Sequence, residues 1–402
     1  MSDLSLKTSI KNYSLYSKGI NKKNDIIIEY CFYLFFSSLA LDGFLLTNNY
    51  SPISPSHIVL LLLVFYYFIG GRNTLIFEKD DFFLISLLLV AIISMIFALD
   101  SSRIFSAVLR FIYYIFIIML SKNILKVYKI CLSRALIIYS VPLLIVSIIS
   151  IYNGVSYGGS GRLSYSENYN TTWYAAHLDV IVILSSYMIY KKKKILFYLL
   201  LGGGSFYFLL ETQARLSILS LIVAPFLTFL FFKTINIKYS KFSKKTLLLL
   251  LVLSISIVLS ILNFTKIMDY LAENYNRIYQ TFMFRTVGSD AATAGRSTIW
   301  NSYLSEITKN PFNIAGWGMA STESGGSSPH NAYISLLYES SIVGLGIYIS
   351  YFINLIVTNR KKPYLVFILM FMLILSLGND MIHYKYFYII LISFFLLKYS
   401  VN

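Results

Sequence analysis

Apolar positions recur along this chain in about twelve long stretches, near residues 26–46, 57–71, 82–99, 104–121, 133–152, 172–190, 195–210, 216–233, 246–263, 333–357, 364–378 and 386–399. Stretches of this length predict helices that cross roughly 30 Å of hydrocarbon with some tilt. The second, seventh and eleventh are short. No repeat of a solenoid or propeller period is visible. The pattern predicts an all-α polytopic membrane protein, one transmembrane domain over 1–402, with two polar interruptions. The large one, 264–332, lies between the ninth and tenth stretches, and the shorter one is 153–171. Loops as long as the first are usually functional or disordered. Trp300, Phe312 and Trp317 within it predict a segment that folds against the membrane and carries short amphipathic helices.

Composition supports the bilayer. Of the 402 residues 57% are hydrophobic and 13% charged, about half the roughly 25% of a soluble domain. The net charge of +16 would suggest nucleic acid in a soluble protein. Here it bears on orientation instead, and no nucleic-acid partner is expected. If the N-terminus is cytoplasmic and every stretch crosses, 24 of the 34 Lys and Arg fall on the cytoplasmic side, with Lys191–Lys194 the clearest anchor. Both termini are then cytoplasmic and both polar loops lie outside. No cleavable signal peptide is expected at residues 1–25, and Cys31 and Cys131 offer neither a disulfide framework nor metal-ligand spacing.

Three outer segments could carry chemistry. In the first, Arg296, Trp300, Leu304 and Ile307 share one face of a predicted helix that Asn310-Pro311 stops. In the second, Ser328-Pro329-His330-Asn331 runs into the tenth stretch. Ser328 is expected to cap, Pro329 to occupy the first helical position and His330 the opening turn, where the dipole keeps the imidazole neutral as a general base requires. In the third, Glu211-Thr212-Gln213-Ala214-Arg215 forms a tight turn, and Arg215 opens a helix with free N–H groups, an anion site. Taken singly, each has a plain alternative: a snorkelling anchor, a helix-end histidine, an interface arginine. Together they place two arginines and a histidine at one depth on one face. That set could neutralise a diphosphate leaving group and deprotonate an attacking hydroxyl.

The first outer loop, Thr47 to Ser56, lacks a carboxylate, and the adjacent pair Asp80-Asp81 falls on the cytoplasmic side. Chemistry without a metal is therefore favoured. Asp42, Arg110, His177, Asp179 and Glu339 are ionisable groups inside the apolar stretches, functional candidates by default. A transporter would use such groups, and a polysaccharide flippase is the rival from another class. An internal repeat, usual in transporters, is not evident.

At these residues the chain resembles the bacterial O-antigen polymerase and O-antigen ligase superfamily. Thr212-Gln213-Ala214-Arg215 is similar to its Thr-x-x-Arg turn. Gly295-Arg296 with Trp300, Asn310-Pro311 and Gly316-Trp317-Gly318 is similar to its loop motif. Pro329-His330-Asn331 with Glu339 and Gly344 resembles its His-Asn signature, and Gly161-Arg162-Leu163 is a weaker match. The resemblance implies glycosyl transfer on the periplasmic face of the bacterial inner membrane. The donor would be an undecaprenyl diphosphate-linked oligosaccharide, with no metal, cofactor or nucleotide sugar. Arg215 and Arg296 would hold the diphosphate and His330 would activate the acceptor hydroxyl. Arg162, Arg285, Asn331, Trp300, Trp317, Glu339 and His177 complete the implied substrate-binding set. The Leu336-Leu337-Tyr338-Glu339 run looks more like polymerases than ligases. Membrane lipids and a polysaccharide chain-length regulator are the other implied partners.

Overall fold

The computed structural model describes residues 22–45, 54–70, 73–96, 101–155, 163–164, 171–212, 214–234, 296–310, 313, 316–318, 321, 328–378 and 385–400. Among them every regular element is helical. The first five are α1 (Lys22–Leu45), α2 (Pro55–Phe65, continued by a π turn over Tyr66–Gly70), α3 (Lys79–Met95), α4 (Ser101–Val127) and α5 (Leu132–Tyr152). They are followed by α6 (Thr171–Tyr190), α7 (Ile195–Glu211), α8 (Arg215–Thr234), α9 (Arg296–Lys309), α10 (Ala332–Thr358), α11 (Pro363–Leu375) and α12 (Lys385–Tyr399). Six of them contain segments long and apolar enough to cross a membrane: Asn24–Asp42, Ile104–Val127, Leu132–Tyr152, Thr171–Tyr190, Arg215–Lys233 and Ala332–Thr358. The protein is a membrane-embedded helical bundle. The ninth apolar stretch, 246–263, lies outside the described residues.

Local sequence explains several helix ends. Pro55 and Pro363 open α2 and α11, where a missing N–H costs nothing. Interior prolines stand in α5 (Pro142) and α8 (Pro225), tolerated where neighbouring helices re-satisfy the backbone. Helices α6 and α7 form a hairpin, and a Cβ at Gly202 would lie 3.1 Å from Ser185 Cβ, so the missing side chain lets them approach closely. Helix α12 packs on α4 and α6 and is buried on every side from Phe387 to Leu397, as suits an apolar helix with no polar face.

The bundle has two distinguishable ends. Tyr364, at the start of α11, donates to Ile183 O (3.2 Å) and bonds Ser186 Oγ near the end of α6. This lysine end carries Lys191–Lys194. The far end of α11 therefore lies beside the start of α6, and α8, which packs along α11, opens there with Arg215.

The tenth stretch departs most from expectation. A straight helix would hold Tyr333 and Tyr348 about 22 Å apart at 1.5 Å per residue. Their rings instead lie 6.1 Å apart. Ser376 accepts from Ala332 N through its carbonyl (2.9 Å), while its hydroxyl bonds Tyr348 OH (2.9 Å). The chain therefore reverses at Ser341, whose φ of 61° and ψ of −171° fall where glycine is normally required. Residues 332–340 form a short helix folded back on 342–358, so the apolar segment Ala332–Thr358 is interrupted at Ser341.

The opening of α10 also differs. Asn331, not Ser328, is the N-cap, its side chain accepting from Tyr333 N (3.0 Å) and Ile334 N (3.2 Å). His330 precedes the helix with φ 48° rather than sitting in its first turn. Asparagine and serine cap about equally well, so the choice of Asn331 follows from where the chain turns into the helix and not from residue type. His330 therefore stands outside the first turn, where the field of the helix dipole falls off quickly.

Candidate functional site

The reversed helix creates a platform. Breaking the helix at Ser341 frees backbone carbonyls of the preceding turn. Two are taken by the loop: Trp317 N donates to Tyr338 O and Gly318 N to Glu339 O, both at 3.0 Å. Gly316, at φ 75°, makes this approach possible; a Cβ there would meet Glu339 O at 2.3 Å. Trp317 then stacks on Tyr338 (4.5 Å between centroids, 3° between planes). Offset stacking of this kind adds about 0.5–1.5 kcal/mol beyond area burial.

Helix α9 lies against the same platform. Tyr303 meets Tyr338 edge-on at 4.8 Å, and Tyr338 OH donates to Glu306 Oε2 (2.7 Å). Trp300 Nε1 donates to Pro329 O (2.7 Å), the residue directly before His330. The face expected from the sequence is therefore rotated. Trp300 docks on Pro329 just before α10 and Tyr303 on Tyr338 within it, while Leu304 is exposed. An aromatic partner on α10 selects Tyr303, and spacing alone could not see it.

The expected site residues divide into three groups. Trp300, Trp317, His330, Asn331 and Glu339 come together on this assembly. His330 is exposed and its N–H reaches Ser328 Oγ (3.3 Å); Asn331 is spent on the cap; Glu339 is buried. Arg296 is the first residue of α9, and Arg215 opens α8 half-buried. Arg215 stands at the start of α8, which packs on α11, and Ser376 beyond the α11 terminus accepts from Ala332 N. The shorter loop reaches the same turn, since Leu163 N donates to Glu211 O (3.0 Å). His177 stands apart, fully buried in α6 with Nδ1 2.8 Å from Tyr139 OH, as a satisfied core histidine does. Arg162 and Arg285 lie outside the described residues.

Sequence reading missed Tyr303, Glu306, Tyr338 and Ser341. The two glycines around Trp317 were the available signal, since a Gly-aromatic-Gly run marks a close backbone approach. It missed also that Asp42 accepts from Ser56 N (3.0 Å), with Ser56 Oγ 2.8 Å from Ser54 Oγ and Ser54 Oγ 2.6 Å from His57 Nδ1. This chain of bonds ties the end of α1 to the start of α2. Asp80 and Asp81, expected at the cytoplasmic side, join Glu78 at the lysine end around Lys122, whose side chain is 0% exposed.

Compared with protein-family models, with curated proteins and with solved structures, the chain matches none.

Proposed function

We propose that the chain is an O-antigen polymerase, an inverting glycosyltransferase acting at the periplasmic face of a bacterial inner membrane. In this reading the described helices other than α9, with residues 246–263, supply twelve crossings. Residues 332–340 and α9 stand on the His330 side, and the lysine end faces the cytoplasm. His330 takes the proton of an acceptor hydroxyl on one lipid-linked repeat unit. That oxygen attacks the anomeric carbon of the donor chain, and the bond from that carbon to the diphosphate breaks with inversion. Arg215 and Arg296 bind the departing undecaprenyl diphosphate, and their charge is worth most where charge develops. The stacked Trp317 and Tyr338 offer ring faces to the saccharide.

The observation that supports this most is the hydrogen bond from Trp300 Nε1 to Pro329 O. It joins the Gly-Arg helix to the His-Asn segment across 29 residues, as a shared site would need. The test is a lipopolysaccharide profile from a strain lacking the protein, complemented with wild type or His330→Ala. Core bearing a single repeat unit, unrescued by the variant, supports a polymerase. Bare core with accumulated lipid-linked polymer would replace it with a ligase that transfers polymer to the lipid A core. Loss of repeat-unit translocation in Arg215→Ala would instead make the chain a transporter.

A further inference from the structure

The lysine end carries a second feature that the proposed chemistry does not use. Lys191–Lys194 form the whole turn between α6 and α7, and Arg360–Lys362 fill the turn between α10 and α11. These turns are distant in sequence, yet the fold sets them side by side. Tyr364 lies with its ring 5.0 Å from Tyr187 and 5.9 Å from Tyr190, the last turn before the lysines. Lys191 Nζ sits 5.5 Å over the Tyr187 ring. All seven cations are exposed, and no salt bridge among the described residues involves any of them. Neither turn contains a carboxylate.

Orientation in the membrane explains why each turn is basic. It does not require the two to be adjacent. Nor does backbone geometry call for lysine: Lys192 (φ 56°) and Lys194 (φ 38°) are left-handed, where glycine or asparagine fits at less cost. The charge is thus held against local preference. Its depth also indicates its ligand. Tyrosines of this kind mark the boundary between hydrocarbon and water, so the cations stand at the level of lipid headgroups. A basic cluster between helix ends at that level suits phosphate groups of anionic lipid.

We propose that Lys191–Lys194 and Arg360–Lys362 form one binding site for the headgroup phosphate of anionic phospholipid, seated against Tyr187, Tyr190 and Tyr364. The site is independent of the glycosyl-transfer reading. The test uses the purified full chain in nanodiscs and native mass spectrometry with phosphatidylglycerol and phosphatidylcholine. Lys193→Gln/Lys361→Gln removes one cation from each turn. Lys79→Gln/Lys129→Gln removes two exposed cations elsewhere at the same end. The first pair should lose retained phosphatidylglycerol by about fivefold per cation, the second pair should not, and Lys193→Arg/Lys361→Arg should keep it. Equal loss in both pairs would overturn the site in favour of diffuse surface charge. Equal retention of phosphatidylcholine by the wild type would overturn it as well. So would an acidic peptide that binds the turns and excludes the lipid, because the surface would then serve a protein partner. An unchanged melting temperature in each variant separates lost lipid from lost fold.

Discussion

Buried charge at one end of the bundle contrasts with a docked loop at the other. At the lysine end Lys122 Nζ lies 3.4 Å from Glu78 and from Asp80 and bonds Asp81, and Lys126 bonds Glu78. Rings close the cluster: Lys126 lies over Tyr399 at 5.2 Å and Lys122 over Phe395 at 5.7 Å. Burial pushes the Glu78 carboxyl up, but the hydrogen bond from Lys126 and the charge of Lys122 outweigh it and hold the group below its usual range. Charge meets charge, and α3, α4 and α12 are locked together. At the opposite end Gly316 permits a contact no side chain would allow, and His330 and Ser341 adopt positive φ, as Lys192 and Lys194 do in the exposed turn of the lysine end. Such strain persists only where the surroundings over-determine it, and it gathers at functional sites. At the lysine end paired charge locks three helices, and at the other the bonds from Trp317 and Gly318 hold the reversed helix.

The contrast can be broken most severely at Lys122. Lys122→Met leaves three carboxylates around an uncharged side chain, and removing one partner of a buried pair costs about 3–5 kcal/mol. The melting temperature in detergent should fall sharply, with loss of α12 protection in hydrogen exchange. A melting temperature like that of the wild type would mean the cluster is hydrated and structurally idle. Next in size is Gly316→Ala, which forces a Cβ into Glu339 O. Overpacking of this kind costs about 1–3 kcal/mol, and here it should undock the loop while leaving the rest of the bundle protected. Proteolysis within residues 310–328 would report it, with polymer yield falling in parallel.

Trp300→Phe is subtler. It keeps the ring and removes the bond to Pro329 O, worth about 1 kcal/mol. The expected result is shorter polymer at normal expression; an unaltered ladder would detach α9 from the chemistry. The smallest effect on stability, with a large one on function, belongs to His330→Gly. Glycine relieves the positive φ and should leave stability level or raise it by up to about 1 kcal/mol. If His330 is the base, turnover should drop about 10²–10⁴-fold. Activity retained with unchanged stability would remove His330 from the mechanism.

Much of the bundle was legible because burial in lipid demands long apolar runs, and those runs are visible one residue at a time. The helix starts at Pro55, Leu132, Thr171, Arg215 and Pro363 fall within a few residues of the pattern. The site was legible only in its parts. Trp300, Trp317, His330 and Glu339 stood out by type and spacing, but nothing local indicated that Ser341 would reverse the chain. Its neighbours Tyr338 and Ser340 carry no helix-breaking signal, and the break is stabilised only when Trp317 and Gly318 take the carbonyls it frees.

Composition and periodicity by themselves determined that this chain lives in a membrane, that its regular structure is helical, and that its cations gather on particular turns. Those properties follow from transfer of single residues between water and hydrocarbon. The tertiary structure alone decided which turns share a surface, which face of α9 docks, and that the tenth apolar stretch is two helices rather than one. Each of these depends on hydrogen bonds and ring contacts between residues far apart in sequence, such as Tyr364 with Ser186 and Trp300 with Pro329, and no local pattern encodes a partner that only the fold supplies.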